Sequence, residues 1–378
     1  MHPTLAPFAL LFLGLAATAS AGDSSCWVYF GTQTADSTSG IYRSRLDQET
    51  GELSAPQRVT DKPKSVFMAF SPDRTKLYSL AEIPTANGHS EAIETYSVDA
   101  ATGNLVQIGE RVAPGSEGCH INVDPTGRYV LTANYGDHYV EVFPIAADGT
   151  VAERRSIIHF TGSGPNASRQ ESAHPHSVNF DPTGSFAFVA DLGADRIYIY
   201  RLDGPGGSLS PADPAYTQMA PGSGPRHFAF HPDGKHAFVI NELEGSITAM
   251  TWDRENGTLT PYQTVTILRK EYVGVNTSSE VVVSRSGRFV YGANRGDDSI
   301  VVHAFDPSTG KLTFVQRITD GIKVPRNYAI DPSGKWLVCA NLTGGTATVY
   351  RIDAQSGKLS LTGSVNVPEA LCVRFLQI

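Results

Sequence analysis

Six stretches of the chain share one pattern of apolar and polar positions: FMAFSPDRTKLYSLAE from Phe67, INVDPTGRYVLTANY from Ile121, VNFDPTGSFAFVADL from Val178, FAFHPDGKHAFVINE from Phe228, VVVSRSGRFVYGANR from Val281 and YAIDPSGKWLVCANL from Tyr328. In each, apolar residues alternate, a tight turn built on Pro-x-Gly or a close variant follows, and a second β-rich run ends near Asn or Asp. Alternation with period two marks a strand whose two faces differ. Proline presets φ in the turn and glycine supplies a positive φ, so each stretch predicts a strand–turn–strand unit. The turn anchors Pro72, Pro125, Pro182, Pro232, Arg285 and Pro332 recur at roughly 50 residues, the period of a propeller blade.

Each unit continues into a third strand and a second turn: IETYSVDAATGNL, VEVFPIAADGTV, IYIYRLDGPGGSL, ITAMTWDRENGTL, IVVHAFDPSTGKL and ATVYRIDAQSGKL. A fourth strand follows that turn. Turns such as Thr102-Gly103-Asn104-Leu105 and Thr309-Gly310-Lys311-Leu312 read as hairpin chemistry alone. The seventh unit is split. WVYFGTQT and GIYRSRLDQETGEL near the N-terminus supply its later strands, and VPEALCVRFLQI at the C-terminus matches the opening of a repeat, with Pro368 taken to stand where Pro325 does. The prediction is an all-β, seven-bladed β-propeller with four antiparallel strands per blade. Pairing of the C-terminal strand with the N-terminal blade closes the ring, and closure removes the exposed sheet edges that invite aggregation.

Composition adds limits. A length of 378 residues would suit two or three ordinary domains, but repeat folds depart from that rule. Net charge is −8 with Lys and Arg scattered; without a basic stripe no nucleic-acid partner is expected, and an acidic surface argues against anionic membranes. The apolar run Leu5–Ala17, followed by Ala19-Ser20-Ala21 and Gly22, reads as a signal peptide over residues 1–21. It is too short to span a bilayer, so residues 22–378 are expected to be exported, periplasmic or secreted, without membrane insertion after cleavage. Its n-region departs from the usual form in having no Lys or Arg. Cys26, Cys119, Cys339 and Cys372 lack metal-ligand spacing and read as buried small apolar side chains.

Equivalent positions in a repeat share one structural job, so departures from it are informative. Six residues before each turn anchor stand Val66, Cys119, His176, Arg226, Ser279 and Arg326; ten after it stand Glu82, Tyr135, Leu192, Glu242, Arg295 and Leu342. The two columns face each other across the hairpin, and the first strand of a propeller blade lines the central channel, so together they ring one mouth of a tunnel. Strand positions ordinarily favour Val, Ile or aromatics. Ionisable groups concentrated there need partners or a ligand, because buried unpaired charge is costly. Arg226 opposite Glu242 is the obvious internal pair. Two readings remain: a hydrated ion-pair network, or a site for anion binding or catalysis. His174 and His176 flank Pro175 and are expected to point to one face. No third histidine (His120, His227, His231) has compelling metal-ligand spacing, so neither metal nor cofactor is expected. His227 is expected to face away from Arg226, and His231 to be exposed.

The opening YFGTQTADSTSGIYRSRLDQETGEL, the block HPHSVNFDPTG with VADLGADRIYIY, and GPRHFAFHPDGKHAFVINELEGSITAM resemble hallmark blocks of the seven-bladed propeller lactonases, the family of 6-phosphogluconolactonases and fungal carboxy-cis,cis-muconate cyclases. The resemblance covers nearly the whole chain after the signal segment. It implies a channel set of one histidine, two arginines and a glutamate: His176 (His174 as the alternative), Arg226, Arg295 and Glu242, with Arg326 and Glu82 from the same columns as further substrate-binding candidates. The implied activity is metal-free hydrolysis of a sugar lactone, phosphorylated or not. Arginines would hold an anionic group or the oxyanion, and His176 or Glu242 would be the base; a glutamate paired to Arg226 is a weak base, which favours His176. No G-x-S-x-G elbow is present for a serine triad. The alternatives are a muconate-type cycloisomerase and a non-enzymatic binding propeller for a ligand or protein.

Overall fold

The computed structural model describes residues 24–85, 88–113, 115, 117–204 and 206–377; the expected signal segment lies outside them. Among the described residues all regular structure is strand, arranged as seven four-stranded antiparallel sheets. Six blades use four consecutive strands. The first blade is composite: Ser25–Thr32, Ile41–Asp47 and the two-residue strand Gln57–Arg58 are joined on the inner side by the last strand, Ala370–Gln377. The closing pair runs antiparallel from Cys26↔Gln377 to Thr32↔Ala370.

That register corrects one detail of the sequence alignment. Ala370, not Pro368, holds the place of Pro325: Ala370 pairs with Thr32 and Cys372 with Gly31, as Pro325 pairs with Asn341 and Asn327 with Ala340. The residue before each strand is left-handed, Glu369 at φ 40° and Val324 at φ 49°. Side-chain alternation and this kink set the register; the proline two residues earlier does not.

The first strands of blades 3, 4, 5 and 7 carry the same irregularity. Register skips one residue between Gly118 and His120, Pro175 and Ser177, Pro225 and His227, and Pro325 and Asn327. In blade 6 it skips Ser279 and Glu280, between Ser278 and Val281. Such a bulge leaves an extra residue unpaired and re-aims its side chain. The unpaired residues include Cys119, His176, Arg226, Ser279 and Arg326, the column six before the turn. The closing strand repeats it at Leu371.

Apolar residues on the sheet faces pack between neighbouring blades. Phe186 and Phe188 of blade 4 meet Phe228 and Trp252 of blade 5, with Phe188 stacked on Phe228 at 5.4 Å between ring centroids. Each buried aromatic of this kind contributes about 1.5–3 kcal/mol. The seven interfaces make the ring rigid around its axis, which fixes the mouth where the strand ends converge.

Candidate active site

At that mouth lies a cavity of about 600 Å³, lined among others by His176, Arg226, Glu242, Arg295 and Arg326. Glu242 follows the second strand of blade 5, its N–H donating to Gly224 O at 2.7 Å. Its carboxylate is the hub of three cations: Arg226 Nε at 2.8 Å, Arg295 Nη2 at 3.0 Å and Arg169 Nη2 at 2.6 Å. Arg226 contributes charge more than an aligned bond, since its Nε–H does not point along the contact. Burial alone would raise the Glu242 carboxyl, but Arg295, Arg226 and Arg169 hold it at about 2. A carboxylate so stabilised is an anchor and a poor base.

The arginines are themselves fixed by backbone. An Arg226 Nη1–H donates to Ser279 O, while Arg295 donates from Nε to Thr277 O at 3.1 Å and from Nη2 to Ser278 O at 3.2 Å. Arg326 lines the cavity with no hydrogen bond or ion pair to any described residue. Burial and the adjacent charges of Arg226 and Arg295 push its pKa well below the usual guanidinium value. Three guanidiniums therefore contact one carboxylate, and the fourth, Arg326, contacts none among the described residues.

His176 is buried, and its Nδ1 has no hydrogen-bond partner outside its own residue. Burial first, then Arg226, His227 and Arg326, push its pKa well below that of free histidine, so the ring is neutral near pH 7. His174 stands elsewhere. Both rings meet Tyr135, His176 edge-on at 5.6 Å and His174 stacked at 4.2 Å. Only His176 lines the cavity; His174 is spent on Tyr135 O at 3.0 Å and Glu171 Oε1 at 3.1 Å. The bulge at His176 separates the two, which strict alternation does not anticipate. Glu82 lines the cavity paired to Lys64 at 2.5 Å. Leu192 and Leu342 of the same column do not line it.

Two expectations are corrected. His227 does not turn away from Arg226: both line the cavity, because the bulge at Arg226 breaks the alternation. His231 is buried, its Nε2 3.0 Å from Gly287 O of the next blade. It takes the turn position that Asp124, Asp181 and Asp331 hold elsewhere, and it accepts the Asp233 N–H at 3.1 Å.

Arg169 and Glu91 line the cavity and lie outside both columns. Arg169 comes from the connection between His159 and Pro175, whose length was its one signal. Glu91 faces Glu82 in blade 2, where strands Lys76–Thr85 and Gly88–Val98 run longer than their counterparts. Burial raises the Glu91 carboxyl to about 7 even though it accepts the Gly118 N–H. His227 lies one residue past a column already singled out.

The family description "Lactonase, 7-bladed beta-propeller" matches residues 27–375. A 6-phosphogluconolactonase of Bacillus subtilis is 35% identical over 349 residues, covering 92% of this chain and 97% of that protein. The chain belongs to the seven-bladed β-propeller lactonase family. The family likeness extends to a 6-phosphogluconolactonase of Serratia proteamaculans, 32% identical over 82% of this chain and 88% of that one. The solved periplasmic gluconolactonase of Pseudomonas aeruginosa superposes with a TM-score of 0.86 at 32% identity, over 94% of this lactonase-family chain and 99% of that structure. The residues that the family resemblance carries over to this lactonase, His176, Arg226, Glu242 and Arg295, all line the one cavity.

Proposed function

We propose that the cavity opens a sugar lactone bearing an anionic group, with water as nucleophile and without a metal. The observation that carries this reading is Arg326, a guanidinium in the cavity wall beside three others and without a carboxylate of its own. Surplus buried positive charge is costly unless an anion from solution compensates it. The same surplus repels a divalent cation.

In this reading Arg326 receives the anionic group, and the N–H groups of Arg226 and Arg295 not spent on Glu242 and strand carbonyls face the carbonyl oxygen as it becomes an oxyanion. Neutral His176 takes a proton from water as the new C–O bond forms. Collapse of the tetrahedral intermediate breaks the ring C–O bond, and the imidazolium returns the proton to the departing alkoxide. Glu242 holds the arginines in place. Glu82 and Glu91, paired in blade 2 and lining the same cavity, offer acceptors for sugar hydroxyls. Export of the chain after removal of residues 1–21 belongs to the same proposal, supported by its likeness to a periplasmic gluconolactonase.

The test is ring opening by the purified protein on 6-phosphogluconolactone and on gluconolactone, with EDTA present and the spontaneous rate subtracted. Turnover should survive EDTA and favour the phosphorylated lactone, and Arg326→Ala should lower kcat/KM for it at least tenfold, about 1.4 kcal/mol. Tm should be unchanged or higher, since an uncompensated charge is removed. Wild-type rates in Arg326→Ala, or no turnover on either lactone, would overturn the proposal.

A further inference from the structure

The tunnel has a second mouth, and the repeat is broken there in a directed way. Position two after the turn anchor is glycine in five blades, left-handed at φ 67–76° in Gly127, Gly184, Gly234, Gly287 and Gly334. In blade 2 it is Arg74, at φ 62°. A left-handed non-glycine residue costs roughly 1–2 kcal/mol. The anchor itself is proline in five blades and Arg285 in blade 6. The two positions with the strongest structural preference in the turn have each been given up once, both times for arginine.

Both arginines arrive at one place. Arg74 and Arg285 line a cavity of about 710 Å³ together with Arg374, which comes from the closing strand. None has an ion pair with a carboxylate among the described residues. Arg285 donates from Nε to the backbone carbonyl of Asp331 at 3.1 Å, Arg374 from Nε to that of Met68 at 2.8 Å, and Arg74 lies over the Phe70 ring at 5.5 Å. Burial and its two arginine neighbours lower the Arg74 pKa. Nearby carboxylates are occupied: Asp124, Asp181 and Asp331 cap their own turns, and Glu280, deeper in, is bound by His227 and Asn327. Phe67 and His227 are common to both cavities, so an aromatic constriction separates this mouth from the lactonase site.

We propose that this second mouth is a separate binding site for a small polyvalent oxyanion, inorganic phosphate or a phosphate monoester. Guanidinium forks suit such oxygens bidentately, and three of them from three blades converge on one opening. The site is independent of the proposed lactone chemistry.

Restoring the repeat tests it with little risk to the fold, because R74G and R285P install the residues the other turns already use. The double variant should fold with a Tm at or above wild type. Inorganic phosphate is titrated calorimetrically at constant ionic strength into wild type, R74G/R285P and Arg326→Ala, with glucose 6-phosphate and glucose as further arms. The expected result is a binding event that persists in Arg326→Ala and weakens at least tenfold in R74G/R285P. Tighter binding of glucose 6-phosphate than of phosphate, with none of glucose, would identify a monoester as the ligand; the reverse order would identify free phosphate. No binding to wild type at millimolar phosphate, or binding lost in Arg326→Ala and kept in R74G/R285P, would overturn the proposal. Lactone turnover is unaffected by the double variant, so failure here and failure of the lactonase reading are told apart.

Discussion

His176 and Glu91 carry opposite consequences of burial. Burial and neighbouring cations press the His176 pKa far below 6.5, so the base form persists into acid. The acidic limb of kcat/KM, which reports the free enzyme, should therefore lie well below the ordinary histidine value; a limb at that value that survives Glu91→Gln would contradict His176 as base. Glu91 titrates at about 7 in the fold against 4.5 in a free side chain. Between those values the unfolded chain has released the proton and the native state still holds it, so wild-type stability falls as pH rises through this window. Glu91→Gln should therefore stabilise the protein by about 1–3 kcal/mol at pH 8 and by little at pH 4, read from urea midpoints at the two pH values. At this scale the sequence showed Arg226, Glu242 and Arg295 because a periodic repeat exposes out-of-place charges. Arg169 and Glu91 were hidden because they sit on a connection and a strand extension, where the repeat supplies no column for comparison.

Two kinds of local element give the propeller its shape. The recurring bulge is invisible to alternation, because inserting one residue changes no composition; its effect appears only in three dimensions, where Arg226 and His227 reach one cavity. The second turn of each unit does more than reverse the chain. Gly51 of blade 1 is left-handed at φ 78°, and a Cβ there would stand 2.2 Å from Trp336 of blade 7; Gly357 of blade 7 meets Phe289 of blade 6 in the same way, at 2.3 Å. These glycines are contact points between blades, read from sequence as turn chemistry alone. Trp336 is also tied to blade 1 by its indole N–H, which donates to Gln48 O at 2.9 Å. Gly51→Ala must displace that ring and adopt an unfavourable φ, so a loss of about 2–4 kcal/mol is expected in denaturant unfolding. Gly345→Ala, at φ 60° with open space around its Cβ, should cost only about 1 kcal/mol and separates strain from clash.

At the scale of the whole ring, stability depends on a strand supplied from the far end of the chain. Leu371, Cys372, Val373, Phe375 and Leu376 of the last strand are each buried to nine-tenths or more. At about 1.5–3 kcal/mol per large apolar side chain, their removal costs about 10 kcal/mol, comparable to the whole stability of a typical domain. Deleting residues 370–378 should thus abolish cooperative unfolding and expose the edge of Ser25–Thr32 to aggregation. Truncation alone would not show that pairing, rather than chain length, is what matters. The register supplies the control: Gln377 lies opposite Cys26, so residues 368–377 can be moved ahead of Ser24 through a short hairpin loop, with the chain then ending at Val367. The moved strand keeps the same partners in the same register and still delivers Leu371 to the lactonase cavity and Arg374 to the other mouth. This rearranged chain should recover a Tm within a few degrees of wild type, together with lactone turnover and phosphate binding. If it unfolds like the truncated chain, the closing strand acts through its order in the chain and not through the sheet it completes.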